Sequence, residues 1–313
     1  METSTTNLMI IDPKRYLLIV TGPTAVGKTS LTIRLAQHFK TEILSADSRQ
    51  FYKEMRIGTA RPGVDELKMV PHHFTGHISI EDEYNASRFE SDALYQLGKL
   101  FRTHNIVILT GGSGLYLNAV RHGIDDLPDP DITIREELKQ TYVTEGIQSL
   151  RSRLRLLDPR YYEEADIANP KRLIRALEVC ITTGVPYSEL RKKKPKPRDF
   201  ECIWVGLTRG REELNWRIND RVDHMMDEGL LKEVETLIPF RNLNALNTVG
   251  YKELFEWFDG TITLGSAVEN IKTHSRRYAK RQMTWFRKTK DITWFHPDDY
   301  EGILEFVLKK SGN

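Results

Sequence analysis

The chain has 313 residues, 39% hydrophobic and 29% charged, with a net charge of +2, which describes an ordinary globular protein long enough for a large domain with a smaller companion and excludes a polyelectrolyte. Its two cysteines, Cys180 and Cys202, form no C-x-x-C pair, which argues against a disulfide framework or a cysteine zinc site. No apolar run approaches the ~20 residues that span a bilayer, and residues 1–12 lack the basic start and apolar centre of a signal peptide, so a cytoplasmic protein without a membrane segment is expected.

In chain order, Tyr16-Leu17-Leu18-Ile19-Val20 reads as a buried parallel strand. Gly22-Pro23-Thr24-Ala25-Val26-Gly27-Lys28-Thr29 follows and fits the phosphate-loop pattern G-x-x-x-x-G-K-[ST], with a helix after it carrying Leu31, Leu35 and Phe39. Glycines let the backbone wrap a phosphate, the helix N-terminus offers N–H groups, Lys28 adds a point charge and Thr29 a hydroxyl for Mg²⁺. The pattern alone does not separate ATP from another phosphorylated ligand.

Glu42-Ile43-Leu44-Ser45 reads as a second strand ending at Ala46-Asp47-Ser48-Arg49-Gln50. Asp47, just past a strand end on the edge where such sheets bind ligands, is a candidate active-site carboxylate, or alternatively a cap for the next segment. Gly58-Thr59-Ala60-Arg61-Pro62-Gly63 is a turn-rich loop with a further cation. His72, His73 and His77 lack a carboxylate or cysteine to complete a metal set and are expected to be structural. Ile106-Val107-Ile108-Leu109-Thr110 is a third buried strand, followed by Gly111-Gly112-Ser113-Gly114, with no Mg²⁺-binding acid at its end.

From 134 to about 190 the pattern is helical, with Asp158-Pro159 and Asn169-Pro170 as helix starts, and the stretch ends in the basic run 191–198. Glu201-Cys202-Ile203-Trp204-Val205-Gly206-Leu207 returns the chain to the sheet, and helical segments follow at 211–237 and 264–290. The expected fold is α/β, a phosphate-loop NTPase-like parallel sheet flanked by helices, formed by residues 1–124 and 199–313, with a small all-helical insertion domain at 125–198. Eight Lys/Arg and no Asp/Glu between 270 and 290 form a positive stripe suited to a polyanion. The alternative is a solvated helix face.

Taken together, the phosphate loop, Ser45-Ala46-Asp47-Ser48-Arg49-Gln50, the 58–62 loop, Pro71-His72-His73, the 111–116 loop, Asn169-Pro170-Lys171-Arg172, Arg175-Ala176-Leu177-Glu178, Gly250-Tyr251-Lys252-Glu253 and Ala279-Lys280-Arg281-Gln282-Met283-Thr284-Trp285 resemble the tRNA dimethylallyltransferases (tRNA isopentenyltransferases) of the bacterial type. Val26 and Ser113 depart mildly from the residues common there. The resemblance implies a prenyltransferase acting as a monomer. It would move a dimethylallyl group from dimethylallyl diphosphate to N6 of adenosine 37, beside the anticodon, in tRNAs that read codons beginning with U.

It implies Asp47 as general base, Thr24 at the reacting centre, Arg221 with residues 22–29 on the diphosphate, and Mg²⁺ near Thr29. Arg221 otherwise reads as an ordinary helix ion-pair partner, and Asp47 as a Mg²⁺ ligand of a kinase-like site. The extruded adenine would be surrounded by Asp47, Ser48, Arg49 and Gln50. The anticodon stem-loop would be held by Ser113, by Arg135, by Lys171, Arg172, Leu173, Ile174 and Arg175, by Asn247, Thr248, Val249, Gly250, Tyr251 and Lys252, and by Arg276, Arg277, Lys280 and Arg281. Trp285 and Phe286 are expected in the core.

Overall fold

An apolar run with no polar face is stable only between two covered faces, and the first strand is of that kind. In the computed structural model, which describes residues 14–312 except Pro130 and Lys193, β1 (Tyr16–Thr21) is buried throughout. Its side chains divide by period two. Tyr16, Leu18 and Val20 enter one core with Leu31 and Leu35, while Leu17 and Ile19 enter a second with Phe89, Leu97 and Phe286. The reading of residues 1–12 lies outside the described residues, as does Lys193 of the basic run.

After β1 come α1 (Lys28–Phe39), β2 (Ile43–Ser45), α2 (Val64–Met69), β3 (His72–His73), α3 (Ala86–Leu100), β4 (Ile106–Gly111) and α4 (Gly114–His122). The helices α5 (Ile132–Glu145), α6 (Ile147–Leu157), α7 (Pro159–Glu164), α8 (Pro170–Thr183) and α9 (Tyr187–Leu190) precede the return to the sheet at β5 (Glu201–Leu207). Then follow α10 (Arg211–Asp227), α11 (Leu230–Thr236), α12 (Tyr251–Phe258), α13 (Leu264–Phe286), β6 (Thr293–Phe295) and α14 (Tyr300–Ser311).

The strands pair in parallel in the order β3-β2-β4-β1-β5-β6. From β1 the chain skips one place to β2, moves out to β3, returns to fill the gap with β4 and then crosses to the other side at β5. That makes β1 the switch point, beside which open α/β sheets bind ligands at the carboxyl ends of their strands. The α/β parallel-sheet architecture expected from the sequence is the one observed.

Three local expectations are corrected. The helix expected over 211–237 breaks after Asp227, because Gly229 takes a left-handed φ of 97°. The helix expected to run to 290 ends at Phe286. The edge strands β3 and β6, two and three residues long, and the terminal α14 add elements with too little periodic pattern, or none anticipated.

By contact density the chain divides into two units, residues 1–121 with 197–313 and residues 122–196. The second packs Leu138, Leu150, Leu154, Tyr161, Leu173 and Leu177 into its own core. Asp158 and Asn169 cap α7 and α8 by accepting from Tyr161 N and Arg172 N, each with proline at the first helical position. Glu178, 1% exposed, is neutralised by Arg135 at 2.9 Å and Arg175 at 3.0 Å. Both guanidiniums keep some contact with water, so they re-solvate in part when the carboxylate is removed. Glu178→Ala is therefore expected to cost about 1–3 kcal/mol, measured as a lower urea midpoint by circular dichroism. An unchanged midpoint would show that the three groups do not act together.

Candidate active site

The loops that follow β1, β2, β4 and β5 lie at the carboxyl edge of the sheet. In the first, Gly22 has φ 153°, and a Cβ there would lie 2.8 Å from the Leu207 carbonyl oxygen, so only glycine fits. Lys28 turns back into the loop, its Nζ donating to Gly22 O at 3.0 Å and Pro23 O at 2.9 Å. The outside of the loop is held by side chains from far along the chain. Gln282 Oε1 accepts from Thr24 N at 2.9 Å, Arg217 Nε donates to Ala25 O at 2.9 Å, and Arg209 Nε donates to Val26 O at 3.0 Å. Arg221 donates to Thr24 Oγ1.

A cavity of about 710 Å³ opens beside this loop, lined by residues 24–30, Asp47, Gln50, Arg56, Arg61, Arg217, Arg221 and Gln282 among others. Thr29 and Asp47 also line a small adjoining recess. Burial pushes the Lys28 ammonium down to about 8, with Asp47 opposing the shift and Arg221 adding to it. Arg221 is also pushed down, first by burial and then by Arg217, against the pull of Asp47. Its Nε is shut off from water without a hydrogen-bond partner. Desolvated cations and an unpaired buried donor around one cavity are what a multiply charged anion satisfies.

Asp47 fills both roles its position suggests. Its Oδ1 accepts from Arg49 N at 3.1 Å, capping the turn, and it still faces the cavity. Ser48 N donates to Ser113 Oγ at 3.1 Å, and Tyr278 of α13 hydrogen-bonds Ser113 from the other side. Burial, then the Asp47 charge, pushes the Tyr278 phenol up, so it stays neutral.

Arg49 and Gln50 build the wall rather than reach outward. Arg49 donates to Asn244 O and Ala245 O at 2.9 Å, and Gln50 Nε2 donates to Thr59 O at 3.2 Å and Ala60 O at 3.0 Å. The histidines are structural. His72 bonds Val70 O at 2.8 Å, His73 bonds Glu42 at 2.5 Å, and His77 packs against Phe51, Phe74 and Tyr84. Among the described residues no group of three or more His, Cys, Asp or Glu is arranged to hold a metal.

The residues expected on RNA separate into two kinds. Arg277, Lys280 and Arg281 are exposed on α13 and line a shallow groove of about 450 Å³ with Thr284, Trp285 and Lys288. Asn247 and Lys252 are exposed, as are Lys171 and Arg172 on the helical unit. Thr248 and Val249 are half-buried, Ile174 packs at the edge of the helical core, and Gly250 N is capped by Glu253 at 2.8 Å.

Leu173 and Tyr251 have fully buried side chains, and Tyr251 Oη is spent on Glu233 at 2.7 Å. Arg135 and Arg175 are committed to Glu178, and Arg276 points inward to Asn219 and Thr273. Phe286 is core as expected, and Trp285, partly buried, packs against the same core while lining the groove.

Sequence reasoning missed Gln282, Tyr278, Arg217 and Arg209. Tyr278 and Gln282 stand four apart on α13, so they share a face beside that of Arg277 and Arg281, a spacing that was available to be read.

The Lys28 geometry carries a sign for pH. Below about 8 the Lys28 side chain is an ammonium and above it an amine, and the ammonium adds its attraction for a phosphate-bearing anion to that of Arg221. The affinity of inorganic pyrophosphate in metal-free buffer is expected to fall as pH rises through that value, with proton uptake on binding. Calorimetry in two buffers of different ionisation enthalpy measures it. A pH step that survives Lys28→Met would assign it to another group.

A sequence profile described as IPP transferase matches residues 50–289. The chain is 50% identical over 291 residues to tRNA dimethylallyltransferase 1 of Phocaeicola vulgatus, covering 93% of this chain and 97% of that protein. It is 51% identical to tRNA dimethylallyltransferase of Christiangramia forsetii, covering 94% and 98%. Among solved structures, the full-length tRNA isopentenylpyrophosphate transferase of Bacillus halodurans matches with a TM-score of 0.70 at 35% identity over 96% of this chain and 97% of that one. A eukaryotic dimethylallyltransferase caught acting on tRNA matches with a TM-score of 0.77 at 27% identity over 92% and 75%. By extent and identity together, the chain belongs to the IPP transferase family.

Proposed function

We propose that this protein transfers the dimethylallyl group of dimethylallyl diphosphate to N6 of adenosine 37 in tRNAs that read codons beginning with U, releasing diphosphate. The observation that carries the reading is the single cavity in which the phosphate loop, Lys28, Arg221 and Asp47 meet, in a chain of this family.

The N6 lone pair attacks the allylic carbon as its bond to the diphosphate oxygen breaks, and the electron pair leaves with the diphosphate. Asp47 takes the N6 proton. Negative charge grows on the leaving oxygen, so preorganised cations lower the barrier most. Lys28, Arg221 and the N–H groups of the loop supply them, and Thr24, fixed by Arg221 at its hydroxyl and Gln282 at its amide, borders the reacting carbon.

Mg²⁺ fits the donors present. The Thr29 hydroxyl stands at the start of α1 in a recess shared with the Asp47 carboxylate, and both are hard oxygen ligands. Thr29 would hold the ion together with oxygens of the diphosphate. When bound there, it supplies further charge neutralisation on the leaving group.

On the RNA side, Ser48 and Ser113 border the extruded base, while Arg277, Lys280 and Arg281 engage phosphates of the anticodon stem-loop. Lys171 and Arg172 add cations on the helical domain, residues 125–198, which we treat as an RNA-handling insertion in the catalytic domain. The enzyme acts as a monomer in the cytoplasm, where its tRNA substrates are found.

Incubating the protein with unmodified tRNA and dimethylallyl diphosphate, then analysing the nucleosides by mass spectrometry, is expected to yield N6-dimethylallyladenosine. Phosphoryl transfer from labelled ATP without prenyl transfer would overturn the reading. Asp47→Asn is expected to lower kcat by about 10²–10⁴-fold with tRNA affinity retained, and unchanged turnover would remove Asp47 from the role of base. tRNA affinity is expected to fall linearly on a log–log plot against salt, as bound phosphates release counterions. A flat plot would contradict the RNA surface.

A further inference from the structure

Gln282 is 6% exposed on α13, and the backbone of two different loops uses both ends of its amide. Oε1 accepts from Thr24 N at 2.9 Å, and Nε2 donates to Gly112 O at 2.9 Å. The partners fix the orientation of the amide, since an N–H can face only the oxygen and a carbonyl only the NH₂. The two loops follow β1 and β4, which are neighbours in the sheet. The first is the diphosphate side. The second carries Ser113, whose hydroxyl accepts from Ser48 N next to Asp47, and so belongs to the side of the base.

We infer that Gln282 is a positioning residue for the transfer, setting the spacing between the loop that holds the leaving group and the loop that orients Asp47. The inference rests on the reaction proposed above. Gln282 acts through the two loops rather than on the reacting atoms. Glutamate has the same reach but would set an oxygen against the Gly112 carbonyl, and an apolar side chain would leave Thr24 N and Gly112 O without their partner. The neighbouring position is fitted to the bridge as well: a Cβ on Gly112 would lie 2.2 Å from Nε2. Gly112→Ala therefore pushes the same bridge from the other end.

A displacement on the scale of an ångström between reacting groups slows the chemical step without abolishing binding. The test is steady-state kinetics on the wild type, Gln282→Glu, Gln282→Ala, Gly112→Ala and the Gly112→Ala/Gln282→Ala double variant, varying dimethylallyl diphosphate and tRNA separately. Gln282→Glu and Gly112→Ala are expected to lower kcat by about 10–100-fold while KM for each substrate stays within about threefold. The double variant is expected to be no slower than Gln282→Ala, because the truncated side chain leaves room for the new methyl group. Circular dichroism checks folding, and the volume-conserving Gln282→Glu carries the test if Gln282→Ala is poorly folded.

Three results overturn the inference: kcat unchanged in every variant, losses confined to KM, or losses that multiply in the double variant. A wild-type enzyme that forms no prenylated nucleoside would sink the proposed reaction along with it. An active wild type with unaffected variants sinks this inference alone.

Discussion

A loop shaped to surround an anion has almost no apolar surface with which to hold itself, so its conformation has to be imposed. Here the imposing groups come from the other end of the chain. Gln282 holds Thr24, Arg217 holds Ala25 and Arg209 holds Val26, while Lys28 and the Val26 N–H, on Pro23 O, act locally. The motif at 22–29 is therefore incomplete without α10, α13 and the turn after β5. This dependence explains why the chain returns to the sheet at β5 beside β1 and not at an edge. The strand that brings Arg209 has to end next to the strand that ends in the loop.

The same arrangement gathers buried cations around one cavity. Burial lowers both Lys28 and Arg221 from their ordinary values, neighbouring cations add to it, and Asp47 opposes it. Glu66, which also lines the cavity, is spent on Gly63 N at 2.8 Å. Lys28 bonds the loop's own carbonyls, which are weaker partners for an ammonium than phosphate oxygens. On the proposed reading, an arriving diphosphate would relieve cation repulsion and give Lys28 a better acceptor in one event. That relief is largest when the leaving group carries most charge, which is the condition for catalysis rather than for binding alone.

What could be read from the sequence and what could not follow from the range of the interactions. β1, the phosphate loop and α1 are legible because a buried run, a glycine pattern and a 3.6 period are all local. The Asp47 turn is legible because a polar residue after a strand has few places to go. Gln282 is not, since its partner Thr24 is 258 residues away and nothing near either residue announces the bond. Charge alone misleads in the helical unit. Arg135 and Arg175 look like RNA cations until the buried Glu178 is seen to take both, although Arg175 and Glu178 at i, i+3 already hinted at it. The burial of Tyr251 and Leu173 is hidden in the sequence for a related reason: a contiguous stretch on a helix has two faces, and a block of residues does not say which one turns inward.

The order of the strands also bears on which substrate can react. The phosphate loop follows β1 and Asp47 follows β2, with β4 between them. Two strand spacings put the two sides about 10 Å apart at the sheet edge. On the proposed reading, a diphosphate, one short allylic chain and the exocyclic amine of a base inserted from outside would lie across that edge. The loop after β4 sits in the middle of that line, and it is small: Gly111, Gly112, then Ser113. A larger side chain at Gly112 would meet Gln282, the residue that ties the middle loop to the first. The sheet thus fixes the coarse separation and the amide of Gln282 the fine one. That division suits a reaction in which neither substrate is bound covalently and geometry has to do what a covalent intermediate does elsewhere.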